Sequence, residues 1–342
     1  VNSGAFHLFQ TNHVIPRGGI ERDDTLYNRY YLRNVEVGGD VTRPLAGGGI
    51  KLVGLISRRY RNRDDISTLT TRSGVSQGGI EQNLRDWRGE SVARLSWINP
   101  TLAGWSVEVG SEAALNRLSS KLNLVQVNGA GARTAVDLPL DNAVVTEYRG
   151  EAFANIGRIL KPGLRLDMNL TYEASELKVT GDTQAQRSLR FLKPKVALDW
   201  RGKVWHAQVS ITRTVAQLNF ENFISVADLG SERLNGGNAA LVPQRAWEML
   251  ASVDRPILGD GRIKFDVGYN FVEKVQDRVK VRDAKPATPT EPAVPALDAP
   301  GNLGSGSELI LRGNIDMPLA RIGIKGGRLS LYGAYERTSV LD

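Results

Sequence analysis

The segment around Ser76 carries the residues of this chain that come closest to a catalytic motif. Residues 74–78, GVSQG, match the Gly-x-Ser-x-Gly nucleophile elbow, in which a serine hydroxyl attacks an acyl carbon. That elbow requires a buried strand before the serine and a helix after it. Residues 64–72 are polar and residues 79–83 show no helical period, and His206 is the only later histidine that could act as the base. We therefore predict a flexible loop here and no enzyme activity.

Three histidines, at positions 7, 13 and 206, are the remaining candidates for acid–base or metal chemistry. None has a partner histidine, carboxylate or thiol at the spacing of a metal site. The chain contains no cysteine, which excludes disulfides and thiolate ligands. His206 falls on the polar side of a predicted strand, so we assign it a hydrogen-bonding role. We expect no metal and no cofactor.

Glycine clusters at 47–49, 236–237 and 326–327 are candidates for phosphate-binding loops. None is followed by Lys-Ser or Lys-Thr and a helix, as a P-loop requires. We predict that these glycines lie in hairpins, where positive φ angles are needed.

The charge distribution does not favour nucleic acid as a partner. The net charge is +7 and the pI is about 9.6, but lysines and arginines are spread singly among acidic residues. Arg59, Arg61 and Arg63 form the densest group, and we predict that they lie on a solvated rim.

The hydropathy of the chain distinguishes between membrane-spanning helices and membrane-spanning strands. The hydrophobic fraction is 41% and the mean hydropathy is -0.26, and no apolar run approaches the roughly 18 residues that a membrane helix needs. A transmembrane strand needs only about 9–11 residues, with alternate side chains facing lipid. The composition therefore excludes a helical membrane protein and allows a barrel.

Strict alternation of apolar and polar residues predicts the strands. In residues 262–271, Ile263, Phe265, Val267 and Tyr269 alternate with charged or small residues, which indicates a strand with two different faces. The same pattern elsewhere predicts thirteen strands, near residues 5–13, 29–42, 49–62, 84–98, 105–116, 144–158, 164–177, 187–200, 203–216, 246–255, 262–277, 307–317 and 328–340.

Connections between the predicted strands fall into two alternating classes. Short ones contain Gly and most contain Pro: 43–49, 99–104, 160–163, 201–202, 256–261 and 319–327. Long polar ones are 12–28, 64–83, 117–142, 178–186, 217–245 and 278–307. This alternation is typical of an all-β, antiparallel up-and-down transmembrane β-barrel with short periplasmic turns and long outer loops.

Two tryptophan pairs flank short turns, Trp97 with Trp105 and Trp200 with Trp205, as in an aromatic belt at a membrane surface. The Pro-rich segment 284–300 should form neither a sheet nor a packed core, and we predict a flexible outer loop.

Charged residues on the polar sides of the strands are candidates for the lining of a lumen, either as a water-filled channel or as a surface that holds an internal plug. These candidates are Arg165, Asp167, Glu173, His206, Lys264, Asp266, Arg312 and Asp316.

The long connection 217–245 contains Asn219, Phe220, Asn222 and Phe223. Aromatic and amide side chains on an outer loop suit the binding of a sugar or siderophore. The alternative is that the phenylalanines complete an aromatic girdle or pack the loop down, and we favour this alternative.

The chain resembles the barrel portion of TonB-dependent outer-membrane receptors, in their divergent receptor-like branch. The resemblance is carried by residues 254–259 (DRPILG), by 317–319 (MPL) with 326–329 (GGRL), and by 298–304 (DAPGNLG). It implies a barrel of about 22 strands around an N-terminal plug. It also implies a Gram-negative outer membrane, lipid and lipopolysaccharide as surroundings, a small scarce ligand, and energy supplied by the TonB system.

Three features of this family are missing from the sequence: a TonB box, a plug and a terminal aromatic residue. We therefore expect residues 1–342 to be a portion of a larger barrel. A passive porin of about 14–16 strands is the main alternative. A soluble β-sandwich that binds or adheres is a second one, against which the asymmetry of the loops argues.

Overall fold

The computed structural model describes residues 2–15, 21–229, 233–282 and 297–341. Eighteen strands are present in this part of the chain: β1 Asn2–Val14, β2 Arg22–Leu45, β3 Gly48–Thr71, β4 Ser76–Leu102, β5 Trp105–Asn128, β6 Arg133–Val136, β7 Asn142–Lys161, β8 Leu164–Gly181, β9 Ala185–Arg201, β10 His206–Val215, β11 Val226–Asp228, β12 Arg233–Asn235, β13 Arg245–Ile257, β14 Gly261–Glu273, β15 Gln276–Arg282, β16 Leu297–Asn302, β17 Ser305–Pro318 and β18 Arg328–Leu341. Two 3-10 turns span Phe220–Phe223 and Leu319–Ile322. No helix in the described ranges is long and apolar enough to cross a membrane.

Thirteen long strands form the principal sheet in the order β1-β2-β3-β4-β5-β7-β8-β9-β10-β13-β14-β17-β18, with β6 added beside β5. Every neighbouring pair of strands in this sheet is antiparallel. The strands lie side by side in the order of the chain, if the short strands β6, β11, β12, β15 and β16 are left out. The predicted all-β, antiparallel up-and-down architecture is confirmed, and each of the thirteen predicted strands corresponds to one strand of this path. Within the described residues, β1 pairs with β2 alone and β18 with β17 alone.

Tight turns join the strands at one end of the sheet. Gly47 and Gly104 have φ angles of 73° and 81°, and Ala46 and Ala103 before them have φ angles of 47° and 49°, so both residues of each two-residue turn lie in the left-handed region, which favours glycine. At the opposite end, residues 129–141, 216–244 and 274–304 form long connections, as predicted, but residues 72–75 and 182–184 are short turns, so the predicted long connections at 64–83 and 178–186 are wrong.

Strands β3, β4 and β5 are longer than the alternation predicted. Residues 64–83 were expected to form a loop, but only residues 72–75 separate β3 from β4, and residues 129–141 with β6 replace the predicted loop 117–142. The cause is visible in β5, where Val107, Val109 and Leu115 are apolar on one face, while Leu118 and Leu122 are apolar and buried on the other. A strand whose apolar face changes sides halfway shows no single alternation, so its upper half resembles a polar loop.

A second sheet, in the order β11-β12-β16-β15, lies in the connections that follow β10 and β14. We call residues 216–229, 233–244, 275–282 and 297–304 the loop cap. Leu297 and Ala299 of β16 are buried in a hydrophobic core, and Pro300 belongs to the same strand. The prediction that segment 284–300 forms no sheet is therefore wrong for residues 297–300, and the rest of that segment lies outside the described residues. Burial of alternate apolar side chains stabilises this strand despite its proline.

The loop cap requires the principal sheet to curve. Leu297, which follows β14 in the chain, packs in one core with Leu26 of β2, nine strands away in the sheet order. Nine strands would separate these residues by roughly 43 Å in a flat sheet, since neighbouring strands lie about 4.8 Å apart. We call the concave face that the cap covers the inner face, and the opposite face the outer face.

Candidate functional site

The outer face exposes a band of apolar side chains. Trp87 and Trp97 lie on this face of β4, ten residues apart. At about 3.3 Å per residue and a tilt near 40–45°, they are separated by roughly 25 Å along the membrane normal, which is the height of the apolar band of outer-membrane barrels. Exposed residues of the band include Val37, Val41, Leu52, Ile56, Leu95, Val109, Leu115, Leu170, Leu192, Val196, Val209, Ile211, Phe265, Val267 and Leu331.

Tryptophans at the short-turn end form polar contacts at the lower edge of this band. The Nε1 of Trp97 donates a hydrogen bond to the carbonyl oxygen of Leu45 at 2.9 Å. The guanidinium of Arg158 lies 5.0 Å from the ring centroid of Trp105, and that of Arg255 lies 4.9 Å from Trp205. Apolar rings with cationic neighbours suit the boundary between hydrocarbon and water.

The outer face also bears on the β-sandwich alternative. In a sandwich, the apolar faces of two sheets meet each other. Here the described part of the chain leaves the apolar band uncovered, and the second sheet packs on the inner face instead. The sandwich alternative is therefore wrong.

The inner face below the cap is lined by paired charges. Lys193 Nζ lies 2.9 Å from Glu151 Oε1 and 2.7 Å from Glu173 Oε2, on three neighbouring strands. Arg149 Nη2 lies 3.2 Å from Glu112 Oε1 in the same region. Each of these cations has a carboxylate partner, so this part of the surface is hydrophilic and its charges are locally balanced.

His206 takes part in this pairing at the short-turn end. Its Nδ1 lies 2.9 Å from Asp254 Oδ1, and its Nε2 lies 2.8 Å from Asp199 Oδ2. Two ring nitrogens that both face carboxylate oxygens suit the imidazolium form, which has two donors. The histidine joins β10 to its neighbours β9 and β13.

The other predicted lumen residues share the inner face, by the register of their strands. Arg165 pairs with Asp167 at 2.7 Å, and Lys264 pairs with Asp266 at 3.0 Å. Among the others, Glu173 pairs with Lys193, Arg312 with Glu336, and Asp316 with Arg328. Their role as the lining of a lumen stays a prediction.

Arg61 and Arg63 lie on the inner face beneath the loop cap. Arg61 pairs with Asp86, and Arg63 Nε lies 2.6 Å from Asp65 Oδ2. Both aspartates are fully buried, so their charges need these partners. The prediction that this arginine group forms a solvated rim is wrong, because residues 59, 61 and 63 all point to the face that the cap covers.

Glu221 connects the cap to this arginine group. It lies in the 3-10 turn and accepts a hydrogen bond from Arg88, and its Oε1 is 3.7 Å from Arg61 Nη2. Burial raises the pKa of Glu221, but the hydrogen bond from Arg88 and the charges of Arg88, Arg61 and Arg59 outweigh that effect. The pKa of Glu221 therefore lies below its ordinary value, and the carboxylate stays ionised.

A cavity of about 450 Å³ lies next to this contact, between β2–β7 and the cap. The Nε atoms of Arg59 and Arg88 are buried and have no hydrogen-bond partner in the described structure, although Arg88 Nε lies 3.7 Å from Asp86 Oδ1. The cavity thus combines cationic and amide side chains, which can bind the acceptor oxygens of a ligand. The side chains that line the cavity include Asn34, Arg59, Arg88, Glu90, Asn116, Glu147, Asn219 and Phe220.

The structure separates the four predicted ligand-loop residues. Asn219 and Phe220 line the cavity, and the Oδ1 of Asn219 also accepts a hydrogen bond from the backbone of Glu221 at 3.0 Å. Phe223 is fully buried, with its ring edge-on to Phe220 at 6.3 Å between centroids. Asn222 accepts a backbone hydrogen bond from Asn238 at 3.0 Å. Phe223 thus packs the cap, and ligand binding by the other three stays a prediction.

Sequence reasoning missed Arg59 and Arg88 as cavity residues. The signal available was the two-residue spacing of Arg59, Arg61 and Arg63, which places all three on one face of a strand. We assigned the segment to the end of a strand, and charged ends are usually solvated.

Ser76 does not lie in a nucleophile elbow. It begins strand β4 directly after a turn, and its hydroxyl accepts a hydrogen bond from the backbone N–H of Gly78 at 3.2 Å. The described residues contain no group of three or more His, Asp or Glu side chains that could hold a metal ion.

Gly237 departs from the predicted hairpin role. It lies in the loop cap, where an added Cβ would come 2.5 Å from the carbonyl oxygen of Phe223, so close packing explains the glycine. Gly236 likewise lies against the side chain of Leu297.

The antiparallel, all-strand sheet resembles the barrels of TonB-dependent outer-membrane receptors. The chain is similar to the copper transporter OprC, with a TM-score of 0.54, 9% sequence identity, and coverage of 99% of this chain and 61% of that one. It is also similar to the siderophore receptor PiuA from Acinetobacter baumannii, with a TM-score of 0.51, 11% identity, and coverage of 99% and 60%. No family model and no curated protein sequence matches the chain.

The names of these two neighbours describe a transporter and a siderophore receptor. At such low identity the similarity concerns the fold alone. The chain spans about 60% of the length of both proteins.

Proposed function

We propose that this chain is the barrel portion of a TonB-dependent receptor in the outer membrane of a Gram-negative bacterium, where it takes up a scarce small ligand. The observation that carries the proposal is the loop cap, which covers the inner face above a polar cavity lined by Arg59 and Arg88. The uncovered apolar band of the outer face supports the membrane location.

The cap restricts access to the cavity from the end of the sheet that carries the long connections. It is fixed to β2, β4 and β5 by a hydrophobic core that includes Leu26, Leu84 and Leu122, and to β4 by Glu221. A ligand that enters from this end must displace these contacts, whereas an open pore would admit it freely. Restricted access of this kind favours a receptor over a passive porin, and TonB is the energy source that the receptor class implies.

The cavity favours an oxygen-rich ligand. Arg59 offers N–H donors, Asn34 offers an amide, Glu90 and Glu147 offer acceptors for hydroxyl groups, and Phe220 offers an apolar surface. Ferric siderophores and oligosaccharides both have this mixture of oxygen atoms and apolar surface.

Uptake in living cells tests this proposal. Cells that carry the native gene, its deletion, or the gene with Arg59→Ala would be supplied with ⁵⁵Fe-labelled siderophores and labelled oligosaccharides, with and without a protonophore. Arg201, a largely exposed residue at the short-turn end, gives the control Arg201→Ala.

We expect uptake of one ligand class that the protonophore abolishes and Arg59→Ala reduces about tenfold, as for the loss of one hydrogen bond to a charged group. The control should keep full uptake. Uptake that survives the protonophore would instead support the passive porin.

A further inference from the structure

Five cations surround Trp87 on the outer face of β2–β5, at the upper edge of the apolar band. All are exposed, and their strand register places them in three adjacent rows. We call them the basic patch: Arg33, Arg58, Arg85, Arg117 and Lys121.

The register shows how closely the patch is assembled. Arg85 lies directly opposite Lys121, and Gly89 lies between Arg58 and Arg117 on the neighbouring strands. Strands are about 4.8 Å apart and successive rows on one face about 7 Å apart, so the five side chains share an area roughly 15 Å across.

The cations of the patch lack anionic partners. Arg33, Arg85, Arg117 and Lys121 make no hydrogen bond or ion pair within the described part of the chain. Arg58 binds only neutral atoms, the carbonyl oxygens of Ser57 and Glu90 and the hydroxyl of Ser91. On the inner face, by contrast, Arg61, Arg149 and Lys193 each have a carboxylate. Like charges on adjacent strands repel unless an anion joins them.

An aromatic cluster occupies the centre of the patch. The rings of Tyr60 and Trp87 lie 4.6 Å apart, those of Tyr31 and Tyr60 lie 6.1 Å apart, and Trp87 is 59% exposed. Tryptophan and tyrosine rings favour the headgroup level of a membrane. The patch therefore lies where lipid phosphates lie.

A groove of small residues runs across the strands below the patch. Gly39, Gly54, Ala93, Ala113 and Gly150 are direct register neighbours on five successive strands. The space above them measures about 970 Å³ and is bordered by Val37, Ile56, Leu115 and Tyr148. Its apolar walls and its position inside the band suit an acyl chain.

We propose that the basic patch binds the phosphate groups of an anionic membrane lipid, one acyl chain of which lies in the groove of small residues. The positive charge of the patch favours an anionic headgroup. The adjacent apolar groove favours a lipid over a free phosphate, because a lipid carries an acyl chain that can lie in it. The inference rests on the membrane location given under the proposed function, but not on the transported ligand.

Native mass spectrometry of the purified protein tests the proposal. The probes are phosphatidylglycerol and phosphatidylcholine added in equal amounts, and inorganic phosphate as a competitor. The test variants are Arg85→Glu with Lys121→Glu, a neutral pair Arg85→Gln with Lys121→Gln, and Ala93→Leu in the groove. Arg201→Glu serves as the matched control, and a gel shift on heating confirms that each variant is folded.

We expect the native chain to retain phosphatidylglycerol at least tenfold more than phosphatidylcholine, and 10 mM phosphate to leave this retention unchanged. The charge-reversed pair should remove the preference, the neutral pair should weaken it, and Ala93→Leu should lower retention of the lipid. Equal retention of both lipids, an unchanged preference in the charge-reversed pair, or full displacement by phosphate would overturn the proposal. Ligand uptake by these variants, measured as above, stays normal in either case, so a failed lipid test leaves the receptor proposal standing.

Discussion

Arg88 donates a hydrogen bond to Glu221, a residue 133 positions later in the chain. The first belongs to β4 and the second to the loop cap, so this contact holds the cap to the wall of the sheet. Arg61 stands beside both and also pairs with Asp86. Release of the cap would leave the Glu221 carboxylate and the Arg88 guanidinium without their main partners.

Glu221→Gln should loosen the loop cap. The amide keeps an acceptor oxygen but loses the charge that faces Arg88 and Arg61, a loss of about 1.5–3 kcal/mol for a hydrogen bond between charged groups. Hydrogen exchange at residues 219–225 should accelerate about tenfold or more, while exchange in β8 stays unchanged. Glu176→Gln, at an exposed ion pair with Lys178, is the control. Unchanged exchange in the cap would show that the contact does not hold it.

Phe223→Ala should destabilise the cap more than Phe220→Ala. The side chain of Phe223 is fully buried, and removal of a buried phenylalanine costs about 3–5 kcal/mol. Phe220 lies at the wall of the cavity and is the matched control. Limited proteolysis should cleave the cap of the first variant while the principal sheet stays intact. Equal cleavage of the two variants would contradict the burial seen here.

His13 should respond to pH through its two acidic neighbours. Hydrogen bonds with Asp23 and then Glu21 raise its pKa above 6.5. These hydrogen bonds stabilise the folded state fully at pH values below 6.5, the pKa of the histidine in the unfolded state. The stabilisation is lost as the pH rises through the higher pKa of the folded state. A ¹⁵N-histidine titration of the detergent-solubilised protein should show His13 titrating above 6.5, and His13→Gln identifies the signal. A midpoint at or below 6.5 would sink this prediction.

Leu95→Arg should oppose insertion into a bilayer. Leu95 lies on the outer face of β4, two residues from Trp97 and just inside the apolar band, where arginine costs less than the roughly 2–4 kcal/mol of the midplane but more than the roughly 0–1 kcal/mol of the interface. Val125→Arg, on the outer face of β5 above the band, should cost little. Urea titrations of folding into phosphatidylcholine vesicles measure the free energy of folding of each variant. Similar losses of folding free energy in the two variants would place the apolar band elsewhere.

The alternation of polar and apolar residues was sufficient to predict the thirteen principal strands and their turns. It worked where one side of a strand faces lipid throughout, as in β14, with Phe265 and Val267 outside and Lys264 and Asp266 inside. It failed in the upper half of β5, because packing under the cap reverses the apolar side at Leu118.

The candidate site was predicted only in part. Asn219 and Phe220 were named as candidates from residue type, since aromatic and amide residues on a loop suggest binding, although a packing role was favoured. The structure places both at the cavity wall. Arg59 and Arg88 were missed because they reach the cavity only after the cap folds over strands distant in sequence. Such contacts depend on tertiary structure, which a local pattern does not contain.

The distance from Trp87 to the tip of its hairpin has a consequence for recognition by other macromolecules. The strand continues eleven residues beyond Trp87 to Ser76, which corresponds to roughly 25–30 Å above the headgroups at the usual strand tilt. In the proposed outer membrane, the turn at residues 72–75 would therefore be the part of this hairpin that lies farthest from the bilayer. The tall wall that supports the cap would thus also hold this turn where large molecules outside the cell can reach it.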